Sequence, residues 1–191
     1  MRFTPLVFLF LTGTAQAQVS VSAGNGLAHY CYIAALTSVY NKMAAGDGIG
    51  NCNAALEGPL SAKDRAATLD NRGILFDAKK NYSDAWDDFN HSITLNEKLG
   101  DAWINRGVAR IRLNQPEDAL IDIQKGMSLG PAMLQIGYYD LGVAEENLGK
   151  FSDAYYDFKR SLAVDPEFTP ASNELKNFVV TRAPASSQPS Q

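Results

Sequence analysis

Gly73, Gly107 and Gly142 stand 34 and then 35 residues apart, and each belongs to the same spaced set of residues. Twelve positions later comes Ala85, Ala119 or Ala154, and sixteen later comes Phe89, Ile123 or Phe158. Four before the glycine stands Leu69, Trp103 or Tyr138; nineteen after it stands Ser92, Gly126 or Ser161. Pro131 and Pro166 close the second and third copies at the position Glu97 holds in the first. Glycine fills about 7% of positions in ordinary proteins, so three in register with an alanine column and a bulky column are not composition. A fixed period of this length means stacked supersecondary units rather than one globular core. Arrays of that kind bind partners along a shared face and seldom carry chemistry.

Within each copy the spacing predicts two helices. Leu69, Gly73 and Phe76 fall on one helical face, as do Ala85, Phe89 and Ser92 on the next. Two antiparallel helices approach closely where one offers Gly and the other Ala, with the bulky residues interlocking beside that contact. Lys80-Asn81, Asn114-Gln115 and Leu148-Gly149 read as the turns between them, where Asn or Gly tolerates a left-handed residue. Pro131 and Pro166 end the second helix and turn the chain into the next unit.

This pattern resembles the tetratricopeptide repeat (TPR) family, whose signature runs aromatic, Leu-Gly, a second aromatic, then Ala, Phe, Ala and Pro. The resemblance covers roughly residues 66–168. Asn71-Arg72-Gly73 and Asn105-Arg106-Gly107 resemble an "NRG" variant common in bacterial members, whereas Arg110 and Glu145 stand where the second aromatic is usual. The resemblance implies an all-α fold, a right-handed α-solenoid of antiparallel helix pairs with three TPR units. Residues 66–182 would hold the array and a capping helix with Thr169 as its N-cap and Pro170 as its first helical residue, running to about Val180. Residues 18–65 would form a degenerate N-terminal unit with its linker. Residues 183–191 carry nothing apolar enough to offset ordering entropy and are expected to be disordered.

Residues 1–17 differ in kind. Arg2, the apolar run Leu6–Leu11 and Ala15-Gln16-Ala17 read as a signal peptide cleaved after Ala17. The run is far short of the ~20 apolar residues that span a bilayer, so no membrane span is expected after cleavage. The expected location is periplasmic or secreted. In such a compartment the two cysteines gain interest. Aligned with the repeats, the helical stretch Leu27–Ala44 and the short Asn53–Leu56, joined by a glycine-rich turn at Gly46–Gly50, set Cys31 across from Cys52. A disulfide is the expectation, with reactive thiols or a metal site as the alternatives.

The chain has 17 basic and 21 acidic residues, a net charge of −4, and no basic cluster. That balance argues against nucleic acid and anionic membrane surfaces as partners. There is no phosphate-binding Gly loop, no H-E-x-x-H and no G-x-S-x-G, and the two histidines, His29 and His91, stand alone. No catalytic residue, cofactor or metal site is expected, and the protein is read as a non-enzyme. Asp88, Asp122 and Asp157 recur in register, and Arg72 and Arg106 recur until Leu141 breaks the series. They are either an inter-helix ion pair repeated with the architecture or a charged rail for a ligand.

In the family the first helix of each unit lines a concave face. Here that lane holds Asn71 and Ile74, then Ile104, Asn105, Val108, Ile111 and Arg112, then Tyr139, Asp140 and Val143. Asp70, Asp77 and Glu146 lie at its margins. An exposed apolar strip marks a binding site; the alternative is cover from later repeats or from Gln18–Asn25. Family members that grip C-terminal carboxylates use Lys and Arg clamps on this lane, and Arg112 alone is no such clamp. The expected function is a non-catalytic adaptor of the bacterial cell envelope, holding a peptide segment of a partner protein. The alternative is a structural or assembly subunit that packs into a larger complex, or with itself, through its end repeats.

Overall fold

The computed structural model describes residues 26–40 and 47–178. Those residues form nine helices: α1 (Gly26–Tyr40), α2 (Gly48–Glu57), α3 (Ala62–Ala78), α4 (Tyr82–Leu95), α5 (Gly100–Arg112), α6 (Pro116–Ser128), α7 (Leu134–Asn147), α8 (Phe151–Val164) and α9 (Thr169–Leu175). No strand occurs among the described residues. The expected signal peptide, the Gln18–Asn25 segment and the tail 183–191 lie outside them.

α3 with α4, α5 with α6, and α7 with α8 pack as hairpins, and each second helix also packs on the first helix that follows. The first helices touch one another in turn, α3 on α5 and α5 on α7, so they make one continuous side of the stack. At the N-terminal end α1 and α2 pack on each other and on α3; at the other end α9 packs on α8.

The glycine column explains how closely the helices of a hairpin approach. A methyl group on Gly73 would lie 2.5 Å from the Phe89 ring, one on Gly107 2.5 Å from Ile123, and one on Gly142 2.6 Å from the Phe158 ring. The bulky column therefore seats directly on the glycine rather than beside a Gly–Ala contact, which sharpens the expectation. Alanines of the other column (Ala85, Ala119, Ala154) are fully buried. The small column has its own reason. Ser92 Oγ donates to Ala66 O at 2.8 Å and Ser161 Oγ to Gln135 O at 2.7 Å, each tying the second helix back to the start of the first.

The recurring charges are architecture. Arg72 pairs with Asp88 through two hydrogen bonds, at 2.7 and 2.6 Å, and Arg106 pairs with Asp122 at 2.8 and 2.7 Å. Arg110 adds a third bond to Asp122 at 2.8 Å. Each arginine sits on a first helix and reaches the buried aspartate of its partner helix, so the side chains cannot also serve as a rail.

Three boundaries differ from expectation. Gly46–Gly50 does not form a turn throughout, because α2 is already helical at Gly48. Its glycine serves close packing: a methyl there would stand 2.6 Å from Ala34 Cβ. The capping helix starts one residue earlier, with Phe168 rather than Thr169 at the N-cap, and ends at Leu175 instead of near Val180. Phe178, beyond its end, still packs against the cluster of Ala154, Phe158 and Ala171. Cys31 and Cys52 are joined in a disulfide with Cα atoms 4.8 Å apart, both fully buried against Ala35 and Leu75.

Candidate binding groove

The continuous side made by α3, α5 and α7 is concave and encloses a groove of about 340 Å3. Its lining follows the repeat. Counted from each glycine, position −6 contributes Ala67, Asp101 and Ile136; position −2 contributes Asn71, Asn105 and Asp140; position +1 contributes Ile74 and Val108. Steps of four and then three residues keep these side chains on one stripe of each helix. Tyr32, Ala35 and Leu36 of α1 join from one side, and Ala132 and Met133 from the α6–α7 connection.

Of the ten residues expected to bind a partner, Asn71, Ile74, Ile104, Asn105, Val108 and Asp140 line this groove. Ile104 is only 5% exposed and packs with Ile123 and Leu141, so it is as much core as floor. The other four are placed elsewhere. Tyr139 and Val143 are half-buried and pack against the cluster of Ala154, Phe158 and Ala171, which Phe168 and Leu175 also join. The Tyr139 ring lies 5.7 Å from both Phe158 and Phe168. Ile111 packs against the core of the second and third hairpins, and Arg112 is exposed. The third unit thus lines the groove through Ile136 and Asp140, while Tyr139 and Val143 turn to the C-terminal cluster.

Tyr32, Leu36, Asp101, Met133 and Ile136 were not expected in the groove. Position −6 was legible as one helical turn before position −2; the contribution of α1 depends on how α1 and α2 dock on α3.

The groove is acidic. Asp70, Asp77, Asp101 and Asp140 line it, and no lysine, arginine or histidine does so among the described residues. Asp70 is 7% exposed and accepts a 2.9 Å hydrogen bond from Asn105 Nδ2, which links adjacent units one period apart. Burial pushes the Asp70 carboxyl up to about 7 against the opposing Asn105 bond, with the charges of Asp101 and Asp88 adding to the rise. Asp140 is also pushed up to about 7, chiefly by burial, although Arg112 pulls the other way. Burial raises Asp77 and Asp101 as well; Arg112 opposes the first and the Ala132 N–H, donating to Asp101 at 3.0 Å, opposes the second. Asp77 Oδ1 is buried with no hydrogen-bond partner. Among the described residues no three His, Cys, Asp or Glu side chains converge as metal ligands, and no helix is long and apolar enough to cross a membrane.

No family model matches the chain. Over 116 residues it is 28% identical to human DnaJ homolog subfamily C member 7 and 27% identical to the mouse protein, a match covering 61% of this chain. The chain spans only 23% of the length of these curated relatives. Among solved structures, the first TPR of Spaghetti (RPAP3) bound to the HSP90 peptide SRMEEVD superposes with a TM-score of 0.55 at 25% identity, over 59% of this chain and 88% of that one. PilW, described as a type IV pilus biogenesis factor, superposes with a TM-score of 0.67 at 21% identity, over 80% and 69%. MamA does so at 0.57 and 17%, over 75% and 80%. With its helix pairs packed as in these structures, the chain has a tetratricopeptide-like solenoid fold.

Proposed function

We propose that this protein is a non-catalytic adaptor that holds a peptide segment of a partner protein in the groove of α3, α5 and α7. The observation that carries this reading is the recurrence of lining positions −6, −2 and +1, which makes an elongated trough with an apolar floor and polar edges. A trough of that form suits a side chain sequence running past successive units. The TPR domains of RPAP3 bound to HSP90 and HSP70 peptides provide the analogy for such use. Burying ~400 Å² of apolar surface yields about 10 kcal/mol gross. Association costs of ~4–15 kcal/mol consume most of it, leaving a micromolar, exchangeable contact.

The cell envelope is the proposed location. The signal-peptide features of residues 1–17 and the Cys31–Cys52 disulfide support it, since such bonds persist in oxidising compartments. A photo-crosslinking residue at Asn71 in the groove, compared with one at the outward-facing Ile121, tests the reading in the native envelope. Crosslinks from position 71 that disappear when Ala132→Trp narrows the trough support it. Crosslinks from position 121 alone would overturn it in favour of packing through the outer face, where Ile121, Phe151 and Tyr156 are exposed.

A further inference from the structure

We infer that the segment this groove accepts is basic: a stretch of a partner protein that sets a lysine or arginine among apolar side chains. The inference rests on the peptide-groove reading and adds the sign of the charge. Two features are needed together. Ile74, Val108 and Ile136 supply a floor that favours apolar contact, while Asp70, Asp77, Asp101 and Asp140 ring it with acceptors and no facing cation lines it. Arg112, which opposes the charges of Asp77 and Asp140, is exposed and outside the lining.

The carboxylates are built in rather than scattered on a rim. Asp70 is more than nine-tenths buried, and Asp77 Oδ1 is shut away from water without a donor. A buried acceptor left unmatched is costly, and a donor arriving with the ligand removes that cost. Burial leaves Asp70 and Asp140 partly protonated at neutral pH, so an incoming ammonium or guanidinium group would draw them fully into the charged state and form a charge-assisted bond. An acidic segment would meet the opposite situation, adding negative charge to a partly desolvated trough that already holds four acidic side chains and no lining cation. Rejection of that kind gives specificity as firmly as attraction does. The acidic peptides printed for the RPAP3 complexes, SRMEEVD and SGPTIEEVD, are therefore poor candidates for this chain.

The carboxylates do not gather as a cation cage. They are distributed over α3, α5 and α7, with no three of them placed to share a metal ion. Distribution along the trough matches a chain passing through it, and the apolar floor gives the residues beside the cation a place to lie.

The test uses the full chain and two fluorescent amidated probe peptides of matched length, one setting lysines among leucines and one setting glutamates in the same places. The lysine probe is expected to bind at least about tenfold more tightly than the glutamate probe. The double substitution Asp70→Asn with Asp140→Asn, whose amides mimic the protonated acids and so preserve the fold by circular dichroism, should erase most of that preference. Asn71→Trp should block both probes. Equal binding of the two probes, both blocked by Asn71→Trp, would overturn the basic preference and leave the groove reading standing. Lysine-probe binding that survives the double substitution overturns the preference in the same way. No binding of either probe at millimolar concentration, or binding indifferent to Asn71→Trp, would sink the groove reading as well. Displacement of the lysine probe by equimolar spermidine would show the site to serve free polyamines rather than a polypeptide.

Discussion

Glu145 of α7 faces Asp157 of α8 inside the third hairpin, so two carboxyl groups meet where the second hairpin sets Arg110 against Asp122. Asp157 is covered instead by Arg160 of its own helix at 2.5 Å, an arginine whose side chain is 62% exposed. Glu145 is buried and its Oε2 has no hydrogen-bond partner. Burial first, then the neighbouring Asp157 charge, raises its carboxyl to about 7 from an ordinary 4.5.

That arrangement sets a pH dependence of stability. The folded state holds the Glu145 proton more tightly than the unfolded chain, so its contribution is complete below about pH 4.5 and lost as pH climbs to about 7. Asp70 and Asp140, both held at about 7, act in the same direction. The melting temperature should therefore be higher at pH 5.5 than at pH 8, and Glu145→Gln should shrink the difference. Thermal scans across this range check it; a parent protein with a flat profile would contradict it.

The ion pairs of the second and third hairpins should differ sharply in worth. Asp122 is 1% exposed and holds both Arg106 and Arg110, whose side chains are 11% and 18% exposed. Asp122→Ala strands two partly buried cations and should cost about 3–5 kcal/mol, the scale of breaking a buried pair. Arg160→Ala removes a mostly exposed cation from the buried Asp157 and should cost less, about 1 kcal/mol. Urea denaturation of the two variants measures both, and comparable losses would show that burial does not set the difference.

Periodicity explains what could be foreseen. The columns at Gly73, Ala85 and Phe89 and their copies fix the hairpins, because identical spacing must bring identical atoms together. The pairing of Arg72 with Asp88 follows from the same register. Features without a repeat partner were harder. Gly48 reads as a turn residue until Ala34 is seen 2.6 Å from where its Cβ would stand. Tyr139 and Val143 share a lane with Asn105 and Val108, yet they pack into a cluster with Ala171 of α9, a helix without a counterpart in the other units. The groove's sign was also concealed, because Asp70, Asp101 and Asp140 belong to three different columns.

The turns carry a smaller, separable prediction. Lys80 and Asn114 sit at φ 62° and 60°, in the left-handed region that Gly149 occupies at φ 71°. A lysine there works against its own Cβ, at a cost of roughly 1–2 kcal/mol, which glycine escapes at some loss of unfolded-state entropy. Lys80→Gly should stabilise the fold by about 0.5–1 kcal/mol, and Gly149→Ala should destabilise it by a similar amount. Opposite signs in chemical denaturation would show that the flanking contacts, not the backbone, decide these turns.

The Cys31–Cys52 bond closes a loop of sequence separation 21 between α1 and α2. Loss of such a cross-link should cost about 3 kcal/mol through the freedom returned to the unfolded chain. In a stack each unit contacts only its neighbours, so the loss should fall mainly on the terminal unit rather than spread evenly. Hydrogen exchange on a Cys31→Ala, Cys52→Ala variant should show faster exchange in α1 and α2, with α5 to α8 retaining their protection. Because Tyr32, Ala35 and Leu36 of α1 line the groove, affinity for the lysine probe should fall with that protection. Uniform loss along all the helices would mean that the array melts as one body, and unchanged affinity would remove α1 from the binding surface.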